Sequence, residues 1–220
     1  MTGYHIAAVV IDAALAMLAY PYLVSRTLRD TEQELAEPER KTPYVTLCIL
    51  IGLLSMFAYA YGVTRADKLF LQAIRDSVVM AWVLLVGYID WKEHIIPNTL
   101  ILTAMGFWAA MALVEMIVGQ RSARTVLLFS AVGFFVVGFV LLVIAVIAKS
   151  ALGMGDVKLF AVLGLYYGLF GTYAILLVSV ITMALVSLVL LLLKKVTVKT
   201  KLPMAPFTIV GVLFYILSGS

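Results

Sequence analysis

Apolar segments long enough to cross a membrane follow one another along almost the whole chain. A spanning helix needs roughly 20 mostly apolar residues, and the sequence offers about eight such segments. Their approximate bounds are 5–24, 43–63, 69–90, 98–118, 125–148, 156–171, 172–193 and 203–217. Of the 220 residues, 64% are apolar and 13% are charged, a balance outside the range of soluble globular domains. The sequence therefore predicts an all-α, polytopic bundle of about eight transmembrane helices, or seven if the sixth and seventh segments, joined at "LFGTYA", are one.

The longest polar stretch is "SRTLRDTEQELAEPERKTP" at 25–43. It is too short to bury a core of its own, so we expect a surface helix or a loop. The sequence therefore predicts a single integral-membrane domain over residues 1–220.

The basic residues divide unevenly between alternate loops, and this predicts the orientation in the membrane. One side has only Arg65, Lys68, Arg75, Arg121 and Arg124. The richer side holds Arg26, Arg29, Arg40, Lys41, Lys92, Lys149, Lys158, Lys194, Lys195, Lys199 and Lys201. By the positive-inside rule the richer side is cytoplasmic, which puts both termini outside. Since the net charge of +4 reflects this pattern, it does not indicate nucleic-acid binding. The first apolar run has no basic residues before it, so we read it as a retained helix and not as a cleaved signal peptide.

Two acids fall at the same membrane face in this topology. Asp90 lies in the last turn of the third segment, and Asp156 opens the sixth. The fourth and fifth segments form an out-and-back hairpin between them, so both carboxyl groups lie at the cytoplasmic rim. Two carboxylates held close together resist ionising at the same time. One can then act as a base toward water while the other, protonated, acts as an acid toward a carbonyl, as in an aspartyl protease.

Two glycines precede Asp156 in "ALGMGDVK" at 151–158. Gly153 and Gly155 allow backbone torsions closed to other residues and let a peptide approach the backbone. The alternative is that they only turn the chain while Asp156 caps the helix that follows. Asp90 has a similar alternative, as a solvated acid where a helix leaves the bilayer.

Three stretches resemble one family. "IDWKEHIIPNTLILT" at 89–103 and "GMGDVKLFAVLG" at 153–164 resemble the two motifs of the type IV prepilin peptidases, which are intramembrane aspartyl proteases of the Gly-x-Gly-Asp kind and include archaeal preflagellin peptidases. "LPMAPFTIVG" at 202–211 is similar to a third, weaker motif. The resemblance implies that Asp90 and Asp156 are the catalytic pair, that Gly153 and Gly155 belong to the active-site loop, and that no cofactor is needed.

The resemblance also implies the reaction, the substrate and the location. The expected substrate is a type IV prepilin or pseudopilin, cut at the cytoplasmic face of the cell membrane after a Gly that closes a short basic leader. Pro97 and Asn98 open the fourth segment, where Pro suits the first helical turn, so we interpret them as structural, with an accessory role in the site as the alternative. Lys158 either favours the charged form of Asp156 or holds anionic lipid headgroups.

One departure from many bacterial members concerns cysteine. Those members resemble this chain but have a larger cytoplasmic domain with two Cys-x-x-Cys pairs after the first helix, and they also N-methylate the new pilin terminus. Residues 25–43 stand there instead, and the one cysteine, Cys48, lies in an apolar segment. Four thiolates are the usual ligands of such a zinc site, so we expect no metal. The chain is similar to the short, peptidase-only members that serve Tad/Flp-type pili, and we expect no methyl transfer.

Other polar residues within or beside the segments are interpreted as structural. His5 and His94 fall on opposite sides of the membrane and cannot share a metal; His94 is expected to be a solvated loop residue, with tuning of Asp90 as the alternative. Asp12 and Arg75 lie at similar depths in the first and third segments, so they are expected to pair.

Two other classes of function compete with the protease. A transporter also uses buried acids and broken helices, but its acids would lie near the midplane of two related halves, and no internal repeat is evident. A non-catalytic scaffold of a pilus or secretion assembly would leave the two motifs unexplained.

Overall fold

The computed structural model describes residues 51–58, 60–61, 70–118, 122–147, 152–195, 197 and 202–218. These residues are helical apart from short connections, and they contain no strand. The first predicted helix at 5–24, the polar loop at 25–43, Cys48, His5 and Asp12 lie outside the described residues. The predictions that concern them, including the orientation of the termini and the full helix count, stay predictions.

Residues 51–58 and 60–61 are helical, and five further helices follow. They are α1 (Phe70–Glu93), α2 (Asn98–Ile117), α3 (Ala123–Ile147), α4 (Met154–Leu192) and α5 (Ala205–Leu217).

Four of these helices, α1 to α4, are long and apolar enough to cross a membrane. The spanning segments are Leu71–Glu93, Asn98–Ile117, Arg124–Ile147 and Met154–Leu192. The apolar α5 has only 13 residues. The predicted all-α membrane protein is confirmed at this level, and the bounds of α2 and α3 agree with the fourth and fifth predicted segments to within two residues.

The chain divides into two compact units, and the division falls inside α1, between Leu85 and Val86. The second unit runs from Val86 to Ser218 and holds the last turns of α1 together with α2 to α5. All the contacts described below for the candidate site belong to this unit. The predicted single domain over 1–220 stays a prediction.

Helix α4 is interrupted at Gly168, which has φ 65° and ψ −168°. Side chains with a Cβ rarely adopt this conformation, so glycine is the residue expected at such a break. The sequence predicts the boundary between the sixth and seventh segments at about residues 171 and 172, roughly one helical turn after the observed break. Gly171 instead lies in a tight contact, since a Cβ there would be 2.9 Å from the Tyr215 hydroxyl.

The packing of α5 shows which way each half of α4 runs. The first half begins at Met154, at the same end of the unit as Ala205, and reaches Tyr167, whose ring lies 4.8 Å from that of Tyr215. Further along the chain, Ile175 contacts Gly211, closer to the start of α5. The second half of α4 therefore runs back toward the end from which the first half came, as expected for two consecutive spans.

Two glycines bring α3 and α4 into backbone contact. A Cβ on Gly164 would lie 2.5 Å from the carbonyl oxygen of Gly133, so neither position has room for a side chain. Close approach through small residues is a common way for helices to pack in membranes. Next to this crossing, the Ser130 hydroxyl donates to the Leu165 carbonyl at 2.7 Å, and the Trp108 indole N–H donates to Ser130 at 3.2 Å. The Ser130 bond serves a backbone carbonyl just before the break at Gly168, where the hydrogen bonding of the helix is interrupted, and Trp108 holds the Ser130 hydroxyl in place.

Candidate active site

Four helix ends meet at one end of the second unit. They are the C-terminal end of α1 and the N-terminal ends of α2, α4 and α5. Asp90 lies in the last turn of α1, and Asp156 is the third residue of α4. The sequence predicted that both acids lie at one face of the membrane; in the structure the C-terminal end of α1 and the N-terminal end of α4, which carry them, lie together, and the membrane face itself stays a prediction.

The Asp90 carboxyl group is buried, with 6% of the residue exposed. Its Oδ2 atom accepts a hydrogen bond of 3.1 Å from the backbone N–H of Ala205, the first residue of α5. A helix N-terminus carries unpaired N–H groups and a partial positive charge, both of which suit a carboxylate. Sequence reasoning missed Ala205 as a part of the site. The stretch at 202–211, which resembles the third motif, contains Ala205, but sequence reasoning had assigned no site residue to that stretch.

Helix α1 ends just after Asp90 through a left-handed residue. His94 has φ 54°, and its backbone N–H donates to the Asp90 carbonyl at 2.9 Å, which closes the last turn. The His94 side chain is exposed, as expected for a loop histidine, and it is close enough to interact electrostatically with the Asp90 carboxyl group.

Asp156 does not occupy the N-cap position of α4. That position belongs to Gly153, which has extended torsions of φ −71° and ψ 144°. The Asp156 carboxyl group reaches back to the backbone N–H of Gly153, the bond that an acid at the third helical position makes in a capping box. The same carboxyl group interacts electrostatically with Asp90. Asp156 is therefore not the N-cap residue, but its side chain does help to close the helix start, so the alternative that it caps this helix stays open beside a catalytic role.

The two glycines before Asp156 have different surroundings. A Cβ on Gly153 would be 3.0 Å from the Asp156 Oδ2 atom and would otherwise meet open space, since Gly153 is exposed. A Cβ on Gly155 would be 3.2 Å from the Ile96 side chain. The open side of the loop is therefore at Gly153, while the space beside Gly155 is filled by the chain's own Ile96.

The start of α2 lies beside the start of α4. Asn98 is the first residue of α2, and Pro97 is the N-cap residue of that helix. The sequence had predicted Pro97 in the first helical turn, one position further along. The Pro97 carbonyl accepts the Leu100 N–H at 3.2 Å. The Lys158 Nζ atom donates to the Asn98 Oδ1 atom at 2.7 Å.

The remaining candidate residues are not among the contacts described for this site. Arg75 has its Nε atom 3.9 Å from Oδ1 of the neighbouring Asp76, and its expected partner Asp12 lies outside the described residues. Within the part of the chain that the structure describes, no group of three His, Cys, Asp or Glu side chains could hold a metal ion. The expected absence of zinc from the whole chain stays a prediction.

Two carboxyl groups that interact at one end of a helix bundle can share one proton and one negative charge. One of them can then accept a proton while the other donates one, which is the requirement of acid–base hydrolysis.

Comparison with known proteins agrees with this chemistry. The family model described as the type IV leader peptidase family matches residues 77–188, a range that includes Asp90, Gly153, Gly155 and Asp156. Comparisons with the curated proteins and with the solved structures give no match. Since the family match covers more than half of the 220 residues, the chain belongs to the type IV leader peptidase family and is a peptidase.

Proposed function

We propose that this peptidase is an intramembrane aspartyl endopeptidase in which Asp90 and Asp156 form the catalytic pair. The observation that carries the proposal is the closeness of these two carboxyl groups, one at the C-terminal end of α1 and the other at the N-terminal end of α4, although 66 positions separate them in the sequence. Asp90 is also buried, and its carboxyl group is held by a hydrogen bond from the N-terminus of α5.

The chemistry needs one ionised and one protonated carboxyl group. The ionised group takes a proton from a water molecule, whose oxygen attacks the carbonyl carbon of the scissile peptide bond. The protonated group donates its proton to the carbonyl oxygen, and the tetrahedral intermediate then collapses with protonation of the leaving amine. Each aspartate serves in turn as acid and base, so the pair acts as one unit.

The substrate class follows from the family, and we propose a type IV prepilin or pseudopilin cut at the cytoplasmic membrane face. The positions of four lysines support the cytoplasmic face. Lys92 and Lys158 each lie two residues after one of the acids, and Lys194 and Lys195 follow the half of α4 that returns toward the same end. Such an excess of basic residues is typical of the cytoplasmic side. The exposed Gly153 leaves an open approach for an extended peptide beside Asp156.

A transporter function is less well supported. A transporter would be expected to place its paired acids at the interrupted part of a helix, near the middle of the membrane. Asp90 and Asp156 lie at helix ends, and the break at Gly168 is packed against the Phe129 ring.

The proposal is tested with full-length protein in detergent or nanodiscs and a prepilin-type substrate. Asp90→Asn and Asp156→Asn should each lower kcat by roughly a hundredfold to ten-thousandfold, because each change keeps the size of the side chain and removes the acid. The double variant should be scarcely worse than either single variant. The wild-type rate should have a bell-shaped pH dependence, with two apparent pKa values that belong to the pair.

Glu93→Gln is the matched control, since it neutralises an acid one turn from Asp90 that takes no part in the pair. Its activity should remain near that of the wild type. Substantial turnover by either Asn variant, in a preparation free of other leader peptidases, would remove the pair from the mechanism.

A further inference from the structure

A single side-chain hydrogen bond joins the starts of α2 and α4. The Lys158 Nζ atom lies 2.7 Å from the Asn98 Oδ1 atom, and the two residues are 60 positions apart. Both side chains are exposed, so this bond is expected to contribute little to the stability of the whole fold.

A second contact lies next to this bond. The Ile96 side chain, which is 8% exposed, packs into the space that the missing Cβ of Gly155 leaves free. Residues 96 and 98 thus contact residues 155 and 158, which lie on either side of Asp156 in the first turns of α4. The segment that carries Ile96 and Asn98 is also the segment that follows directly after Asp90 and the end of α1.

We propose that Asn98 and Lys158 are positioning residues for the peptidase reaction. Their hydrogen bond holds the first turns of α4 against the segment that follows α1, and so fixes the Asp156 carboxyl group relative to Asp90. Asp90 is held separately by the Ala205 N–H, so each acid of the pair has its own positioning contact. This inference rests on the proposed function of the two acids.

The geometry argues against a direct effect of the Lys158 charge on Asp156. Residues two apart on a helix point to different sides, whereas residues three or four apart face each other. The Lys158 ammonium group is instead bonded to a neutral amide on another helix. Lys158 therefore acts through Asn98, and the two residues should behave as one unit.

The test is a double-mutant cycle on the full-length peptidase, with kcat and KM measured separately. Lys158→Met keeps most of the side-chain volume and removes the donor, and Asn98→Ala removes the acceptor. Each should lower kcat by about fivefold to tenfold, because even a small displacement of the Asp156 carboxyl group slows the reaction, with little change in KM. The double variant should lose no more than either single variant, because both remove the same bond. Lys195→Met is the matched control, an exposed lysine three residues after the end of α4, and it should retain wild-type kcat.

Two further variants separate positioning from a general loss of structure. Asn98→Asp keeps an acceptor for Lys158 and should retain most of the wild-type kcat. The exchange of both residues, Asn98→Lys with Lys158→Asn, restores a donor and an acceptor across the same gap and should recover part of the kcat that Asn98→Lys alone loses.

Additive losses in the double variant, or wild-type kcat for Asn98→Ala, would overturn the inference. A rise in KM confined to the Lys158 variants would point instead to contact of Lys158 with the substrate or with lipid headgroups, and would overturn it as well. Asp156→Asn is included in the same assay: if it is active, the proposed function fails. If it is inactive and Asn98→Ala is fully active, only the positioning role fails.

Discussion

Two regions of the second unit depend on glycine, but in opposite ways. At the crossing of α3 and α4, Gly133 and Gly164 let two backbones touch, and a side chain at either position would collide with main-chain atoms. At the start of α4, Gly153 and Gly155 make room for side chains, those of Asp156 and Ile96. A main-chain atom in a packed helix cannot move aside, whereas a side chain can shift by a few tenths of an ångström. The crossing should therefore control whether the chain folds, and the start of α4 should control how well it cleaves.

The largest effect is expected at the crossing. In Gly164→Ala the new Cβ would lie 2.5 Å from the Gly133 carbonyl oxygen, so α3 and α4 must separate. We expect a loss of about 3 kcal/mol in the free energy of unfolding, at the upper end for overpacked sites, seen as a lower melting temperature and a low folded yield. Gly106→Ala is the matched control, since a Cβ there meets nothing within 4 Å. If the two variants melt alike, the crossing is not held by backbone contact.

A smaller effect, on activity alone, is expected at Gly153. In Gly153→Ala the new Cβ would lie 3.0 Å from the Asp156 Oδ2 atom and would push the carboxyl group aside. The φ of −71° suits alanine, so the melting temperature should stay close to that of the wild type. We expect kcat to fall by roughly tenfold, because small displacements of a reacting group are costly. An unchanged kcat would show that the Asp156 carboxyl group tolerates this displacement.

The smallest effect is expected at Gly155. In Gly155→Ala the new Cβ would press on the Ile96 side chain at 3.2 to 3.3 Å, which can be relieved by a small shift of that side chain. We expect kcat to fall by only about threefold, since Asp156 itself is not touched. Ile96→Ala removes the Ile96 atoms beyond Cβ. The double variant Gly155→Ala with Ile96→Ala should therefore have a higher kcat, measured per folded molecule, than Gly155→Ala alone. A double variant with a lower kcat than Gly155→Ala would mean that Ile96 is not the group under pressure.

Hydropathy was enough to predict α2 and α3, because an apolar run of about 20 residues between polar residues can cross a membrane only as a helix in a chain of this kind. The same reasoning put Asp90 and Asp156 at one end, since two spans must return the chain to the face it left. The break in α4 was harder to predict. "YYGLFGTYA" contains two glycines, and only tertiary packing, Phe129 against Gly168 and Tyr215 against Gly171, decides which one takes the positive φ.

The hydrogen bond from Ala205 to Asp90 could not be predicted from residue types. Its donor is a backbone N–H, which every residue except proline carries, and its place in the site depends on how α5 packs against the end of α1. The Lys158 to Asn98 bond was missed for a related reason, because side chains 60 positions apart give no periodic signal.

The contact between Ala205 and Asp90 has a consequence for the order of synthesis. Ribosomes make α5 after every other helix described here, so a nascent chain already carries both acids in its membrane helices before Ala205 exists. Until α5 inserts, the Asp90 carboxyl group lacks its backbone donor. The hydrogen bond to Asp90 can therefore form only after the last described helix has been made. A nascent chain stalled before Ala205 would contain both aspartates but would lack this hydrogen bond.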